Sequence, residues 1–305
     1  MRGGFIAGVD LGATNVRVVI ADHDGNIEAR RHLATPSGGP EAVLGQISRA
    51  IDELVRGVWV GATVDAVGIA LPGMVDPEAG VVASVANLPG WHNVPLARLL
   101  GGDRRPVAMD NDANAAAAGE GWLGAARGKR DHVFIAWGTG IGSGMVLDGR
   151  IHRGAHFLGG EIAFFPMTRE QVRTGGWQAN VEALAGGRAI AAKASELFGA
   201  GAKASALFDA ARAGHTDAAA FVSEVQEYLA MAVVDVIAML DPEMVVFGGG
   251  VIAAQGAWLL HPIRELAHRC TPTPTPIVLS ELGEDAQVLG AVWLASQQVS
   301  RSASQ

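Results

Sequence analysis

One cysteine, Cys270, stands in a chain of 305 residues, so no disulfide can close within the chain and no multi-cysteine zinc site can form. A reducing compartment such as the cytoplasm fits that usage. Charged residues are scarce at 18%, and acids outnumber bases 31 to 23, for a formal net charge of −8. This balance argues against a nucleic-acid surface, which needs clustered Lys and Arg. The basic cluster RGKR at 127–130 is the size of a solvated turn. Long apolar runs are missing too. The most hydrophobic span, YLAMAVVDVIAML at 228–240, is too short for a bilayer and carries Asp235 in its middle. The N-terminal MRGGFIAGVD leads straight into a strand pattern, with no apolar stretch of the kind a secretory signal uses. Hydrophobic residues, at 49%, place the chain among compact globular proteins, and its length predicts two domains.

The pattern along the chain repeats. GFIAGVDLG, NVRVVIAD and NIEARRHLAT predict three strands in a meander, with DHDGN at 22–26 as a hairpin turn. A helix is predicted over 39–57, with Ala42, Ile47, Ile51 and Leu54 on its apolar face. A buried strand, DAVGIALPG, ends in a Pro-Gly turn at 72–73, and PVAMDNDANAAAAGEGWLG reads as strand, polar corner and Ala-rich helix. DHVFIAWGTGIGSGMVLDGRI then repeats the opening layout: strand, Thr/Gly turn, strand, Asp-Gly hairpin. A helix at about 216–240 leads to DPEMVVFGGGVI, a strand running through three glycines into a helix, and a last strand and helix close the chain. Two halves that each open on a glycine-turned hairpin predict a duplicated α/β unit with a cleft between the copies.

Five stretches carry candidate chemistry. In DLGATN, Gly12 lets backbone approach a ligand, Thr14 adds a hydroxyl, and Asp10 at the strand end could orient a magnesium ion; a self-satisfied tight hairpin explains the same residues. GTGIGSG at 138–144 is followed by a strand, so it fits neither a Rossmann fingerprint nor a P-loop. Paired with the first turn it suits phosphates. In MDNDANAAAAGE, Asn111 and Asp112 could simply cap the helix, yet a carboxylate there also suits a general base and an amide suits a sugar hydroxyl. Glu161 in GGEIAFF and Glu182 in NVEALAGG are either structural charges or ligand contacts. FGGGVI at 247–252 fits the close approach of a nucleotide's base and ribose, or plain close packing.

Taken in order, these segments resemble the ROK family (repressors, open reading frames and sugar kinases) of the actin-like, hexokinase-type (ribonuclease H-like) ATPase fold, over essentially the whole chain. AGVDLGATNVRVVI and WGTGIGSGMVLDGRI resemble its phosphate motifs, LPGMVD and NLPGWHNVPL its sugar-domain turns, DNDANAAAAGE its catalytic segment, GGEI and EALAGGRAI its sugar contacts, and VVFGGGVI its adenosine motif. The resemblance implies two α/β domains, a small one of residues 1–112 plus about 285–305 and a large one of 113–284. It implies ATP-dependent phosphorylation of a hexose, D-glucose at the 6-hydroxyl being the best single guess, with Asp112 as the base. Asn111, Glu161, Glu182 and Gly73 would then hold sugar. Gly12, Thr14, Asn15, Thr139 and Gly140 would line phosphates, Asp10 would lie near Mg2+, and Gly249 and Gly250 near adenosine. A cytoplasmic homodimer without nucleic-acid or membrane partners is expected on the same ground.

One departure stands out. The family reads G-E-I-G-H and then C-x-C-G-x-x-G-C-x-E, supplying one His and three Cys to a structural zinc. Here those positions carry Phe164, Arg173, Gly175 and Asn180, so no structural zinc is expected. Packing by Trp177 and Phe165 is expected to hold the segment instead. Phe164 also removes a sugar contact, which leaves mannose, allose, N-acetylated and amino hexoses open, and polyphosphate open as donor. Competing readings are a sugar-responsive regulator, for which the first strand at about residue 4 leaves no room for a helix-turn-helix, a non-catalytic sugar sensor, and a non-sugar ATPase of the same fold.

Overall fold

In the computed structural model, residues 4–58, 61–101, 105–175 and 179–303 are described, with side chains described up to residue 300. The chain divides into two units, residues 1–128, 151–159 and 285–305 in one and 129–150 and 160–284 in the other.

The first unit opens with β1 (Phe5–Leu11), β2 (Asn15–Ala21) and β3 (Ile27–Ala34), the expected antiparallel meander. Its turn at 22–26 is built by the Asp22 carboxylate, which accepts from Asp24 N and Asn26 N, while Gly25 takes φ +88°. Helix α1 (Gly39–Val58) follows, and its buried face is Val43, Leu44, Ile47, Ala50, Ile51 and Val55. Ala42 and Leu54, expected on that face, sit at its half-buried margin. Strand β4 (Val64–Leu71) pairs parallel with β1; a small sheet of β5 (Met74–Asp76), β6 (Val81–Ser84) and β7 (His92–Val94) comes next. After α2 (Leu96–Gly101), β8 (Val107–Asn111) completes the order β3-β2-β1-β4-β8 and passes directly into α3 (Asp112–Leu123).

In the second unit, β9 (His132–Trp137) and β10 (Ile141–Leu147) form the hairpin, and Asp148 and Gly149, both at positive φ as a primed turn requires, lead out of β10 into the next strand. The two-residue β11 (Arg150–Ile151) follows. Helices α4 (Arg169–Thr174), α5 (Val181–Ala185), α6 (Gly187–Phe198), α7 (Ala204–Arg212) and α8 (Thr216–Leu240) precede β12 (Met244–Gly248). Then come α9 (Gly250–Gln255), α10 (Ala257–Cys270) and β13 (Ile277–Leu279), giving the order β11-β10-β9-β12-β13. The two five-stranded sheets therefore share one plan: an antiparallel hairpin whose first strand pairs in parallel with a later strand.

The last element of the described residues is α11 (Ala286–Ala303), which packs on α3 and β4 in the first unit. The contact is backbone-close. A Cβ on Gly290 would fall on the carbonyl oxygen of Ala115, and one on Gly68 on that of Ala291. That contact keeps α3 with the first unit, beyond the boundary expected at residue 112, and residues 151–159 join it as well.

Candidate functional site

In the first unit the candidate residues gather at the carboxyl ends of β1 and β8. The turn after β1 is closed by Gly12 N donating to Asn15 O at 2.9 Å, and the end of β3 braces it: Thr35 Oγ1 donates to Gly12 O at 2.8 Å and Thr35 N to Thr14 O at 2.9 Å. Thr14 and Asn15 are left exposed. Asp10 faces Arg17 across the hairpin, and Arg17 donates to its Oδ2 from Nε at 2.9 Å and from Nη2 at 2.6 Å. Burial still holds the Asp10 carboxyl above its usual range, with Arg17 working against it.

The corner between β8 and α3 carries the densest polar network. Asn111 is the N-cap of α3: its Oδ1 accepts from Ala113 N at 2.9 Å and its Nδ2 donates to Gly73 O at 3.2 Å. Gly73 needs its φ of +92°, and a Cβ there would strike Ser84 O. Asp112, the first residue of the helix, is partly buried, and Ala113 N donates to its Oδ1 at 2.8 Å. Burial, and after it the negative charge of Asp10, push the Asp112 carboxyl up to about 6. Sequence reasoning passed over Asp110. It is buried and accepts four hydrogen bonds, from Asn111 N, Asn114 Nδ2 and two nitrogens of Arg153.

In the second unit Thr139 and Gly140 form the turn between β9 and β10. Gly138 O and Thr139 O accept from Gly187 N and Arg188 N, the first amides of α6. Glu182 reaches this turn: its Oε2 accepts from Ile141 N at 2.9 Å and occupies the place a Cβ on Gly140 would need. Its Oε1 lies 3.9 Å from Arg188. Gly249 caps α9 at φ +92° against the backbone of Trp137, while a Cβ on Gly250 would meet open space. Glu161 is half-buried beside Gly160, whose carbonyl accepts from Ser143 Oγ. Ser143 was not legible as a support, because its partner lies 17 residues away in a loop.

The positions where a zinc site would stand do other work. Asn180 caps α5, accepting from Ala183 N at 2.8 Å, and pairs with Pro166 in an isolated β-bridge. Gly175 ends α4 at φ +69°, and Arg173 is exposed. Gln171 Oε1 accepts from Met167 N at 3.1 Å, Met167 N also donates to Ala179 O, and Val181 N donates to Phe165 O. Phe165 packs against the second unit's core, Phe164 stays 43% exposed, and Trp177 lies outside the described residues. A side-chain amide, a glycine and an arginine cannot supply thiolates, so this donor set does not fit zinc.

The ROK family model matches residues 6–298. The chain belongs to the ROK family. A glucokinase of Thermotoga maritima is 34% identical over 96% of this chain and 98% of its own. An N-acetylmannosamine kinase of Salmonella paratyphi A is 33% identical over 94% of this chain and 97% of its own. Among solved structures, a ROK family glucokinase from Streptomyces griseus in complex with glucose and AMPPNP superposes with a TM-score of 0.79, at 29% identity, over 96% of this chain and all of that one. The fold is accordingly that of the actin-like sugar kinases.

Proposed function

We propose that this chain transfers the γ-phosphoryl group of ATP to the 6-hydroxyl of D-glucose, with Asp112 as general base. ATP-dependent sugar kinase activity follows from ROK membership and the glucokinase relatives; the hexose, the hydroxyl and the base are our reading. The observation that carries it is the Asp112 carboxyl, held at about 6 on a fixed helix corner. A base of that strength is ionised near neutrality yet strong enough to take a proton as the oxygen attacks.

The neighbouring residues take roles that their geometry permits. Asn111 is anchored through Gly73 and has a second amide hydrogen to offer a sugar hydroxyl. Glu182 would reach sugar through Oε1, because Oε2 is held by Ile141 N. Glu161 stands on the turn that Ser143 fixes. Phosphate roles fall to Gly12, Thr14 and Asn15 in the first unit and to Thr139 and Gly140 in the second, and the open face of Gly250 beside Gly249 suits adenosine. When bound with the nucleotide, magnesium neutralises phosphate charge. Asp10, at the end of β1, would serve its shell. The reading also takes the enzyme as a cytoplasmic homodimer without nucleic-acid or membrane partners. The net charge of −8 disfavours a nucleic-acid surface.

A second reading, phosphorylation of an N-acetylated hexose, is favoured by the N-acetylmannosamine kinase relative and by the exposed Phe164. A panel of hexoses with Mg-ATP or polyphosphate, followed by NMR of the product, separates the two. Glucose 6-phosphate as the main product supports the first reading, and turnover confined to N-acetyl sugars replaces it with the second.

A further inference from the structure

The Asp110 carboxylate is 1% exposed and sits near the end of β8, just ahead of the proposed base. Its Oδ1 accepts from Asn111 N at 2.9 Å and from Asn114 Nδ2 at 2.9 Å. Its Oδ2 accepts from Arg153 Nε at 2.8 Å and Nη2 at 2.5 Å. A buried carboxylate needs a partner charge as well as hydrogen bonds, and the ion pair with Arg153 supplies it. Asp110 thereby holds the backbone amide of Asn111 on one side, while the Asn111 side chain holds Ala113 N and Gly73 O on the other. Asp112 has both its neighbours fixed. Asn114 lies one helical turn further on, buried, with its Oδ1 unpaired, so its amide is oriented by Asp110 alone.

Arg153 is itself held. Within the first unit it begins a tight loop, residues 153–159, closed by Gly159 N donating to Arg153 O at 2.8 Å. Phe157 in that loop takes φ +58°, a conformation an aromatic residue rarely adopts, and a Cβ on Gly159 would lie 2.7 Å from the Arg153 backbone. A loop built at that cost fixes where the guanidinium starts. We propose that Arg153 is a positioning residue for phosphoryl transfer, acting through Asp110 to fix the strand–helix corner that presents Asn111 and Asp112. This rests on the reading of Asp112 as the base.

The test uses the full chain and sugar-dependent ADP release, comparing wild type with Arg153→Ala, Arg153→Lys and Asp112→Asn. Displacement of a reacting group by about 1 Å costs up to roughly 100-fold in rate. Arg153→Ala is therefore expected to lower kcat about 10- to 100-fold with the KM for ATP within about twofold. Millimolar guanidinium should return part of that kcat, a response that mere loss of stability would not give. Arg153→Lys should fall between, because an ammonium cannot reproduce the two directed bonds. If Arg153→Ala does not fold, Arg153→Lys decides: a lowered kcat at an unchanged melting temperature supports the proposal. Arg153 variants turning over at the wild-type rate beside an inactive Asp112→Asn would overturn it, as would a kcat loss in a folded Arg153→Ala that guanidinium leaves untouched. Failure of the base assignment looks different, with Asp112→Asn itself keeping the wild-type rate.

Discussion

Burial lifts the Asp112 carboxyl to about 6 and the charge of Asp10 adds to it, so the ionised form is disfavoured by the fold that needs it. A folded-state value above the usual 3.8 means that Asp112 contributes stability at low pH, and that this is lost as pH rises through about 6. Two pKa units correspond to about 3 kcal/mol, an upper bound for a partly exposed group. Asp112→Asn is therefore expected to melt above wild type at neutral pH, with the gap closing as pH falls toward 4, measured by scanning calorimetry. The same titration should shape catalysis: kcat/KM falls below about pH 6 with a single-proton limb. A profile flat down to pH 5 would remove Asp112 from the base role. Much of this corner was legible in DND, where three cap-forming residues exceed what one helix start requires. Arg153 was not, because nothing local links it to a carboxylate 43 residues earlier.

Among the elements, helix contacts show how a glycine's meaning depends on what it faces. In an exposed helix, Gly→Ala stabilises by about 0.5–1 kcal/mol through backbone entropy. Gly45 on α1 has only the end of Arg49 within reach, so Gly45→Ala is expected to follow that rule. Gly290 on α11 lies against the backbone of Ala115 on α3, so Gly290→Ala is expected to reverse the sign and cost about 1–3 kcal/mol. Chemical denaturation of the two variants checks both. The hairpins and α8 could be read from their turn residues and periodicity, and α8 indeed spans Thr216–Leu240. The extent of the first unit could not, because what retains α3 is a helix that begins at residue 286. The α4–α5 segment is a further case. Sequence placed the missing ligands at Phe164, Arg173, Gly175 and Asn180, but the hydrogen bonds that occupy the segment come partly from Gln171 and Thr168, which no motif marked. Gln171→Ala should cost about 0.5–1 kcal/mol, the loss of one hydrogen bond, because Met167 N keeps its bond to Ala179 O. Metal analysis of the purified protein should find zinc far below one equivalent, and a stoichiometric zinc that resists dialysis would contradict the proposed replacement.

At the scale of the whole molecule, one sheet plan used twice gives two Thr/Gly hairpin turns, each with a carboxylate close by: Asp10 ends β1, and Glu182 holds the start of β10. ROK membership and the glucokinase relatives make a sugar kinase of this scaffold. The step from sugar to glucose is our reading, carried by Asn111 and Asp112 at the β8–α3 corner. The most direct test is glucose-dependent ADP release with Mg-ATP near pH 7.5, wild type beside Asp112→Asn. Turnover that needs glucose, and that falls at least about 100-fold in a fully folded Asp112→Asn, is the predicted result. Glucose-dependent turnover that survives the substitution would contradict the assignment of Asp112, and no turnover with glucose would contradict the substrate.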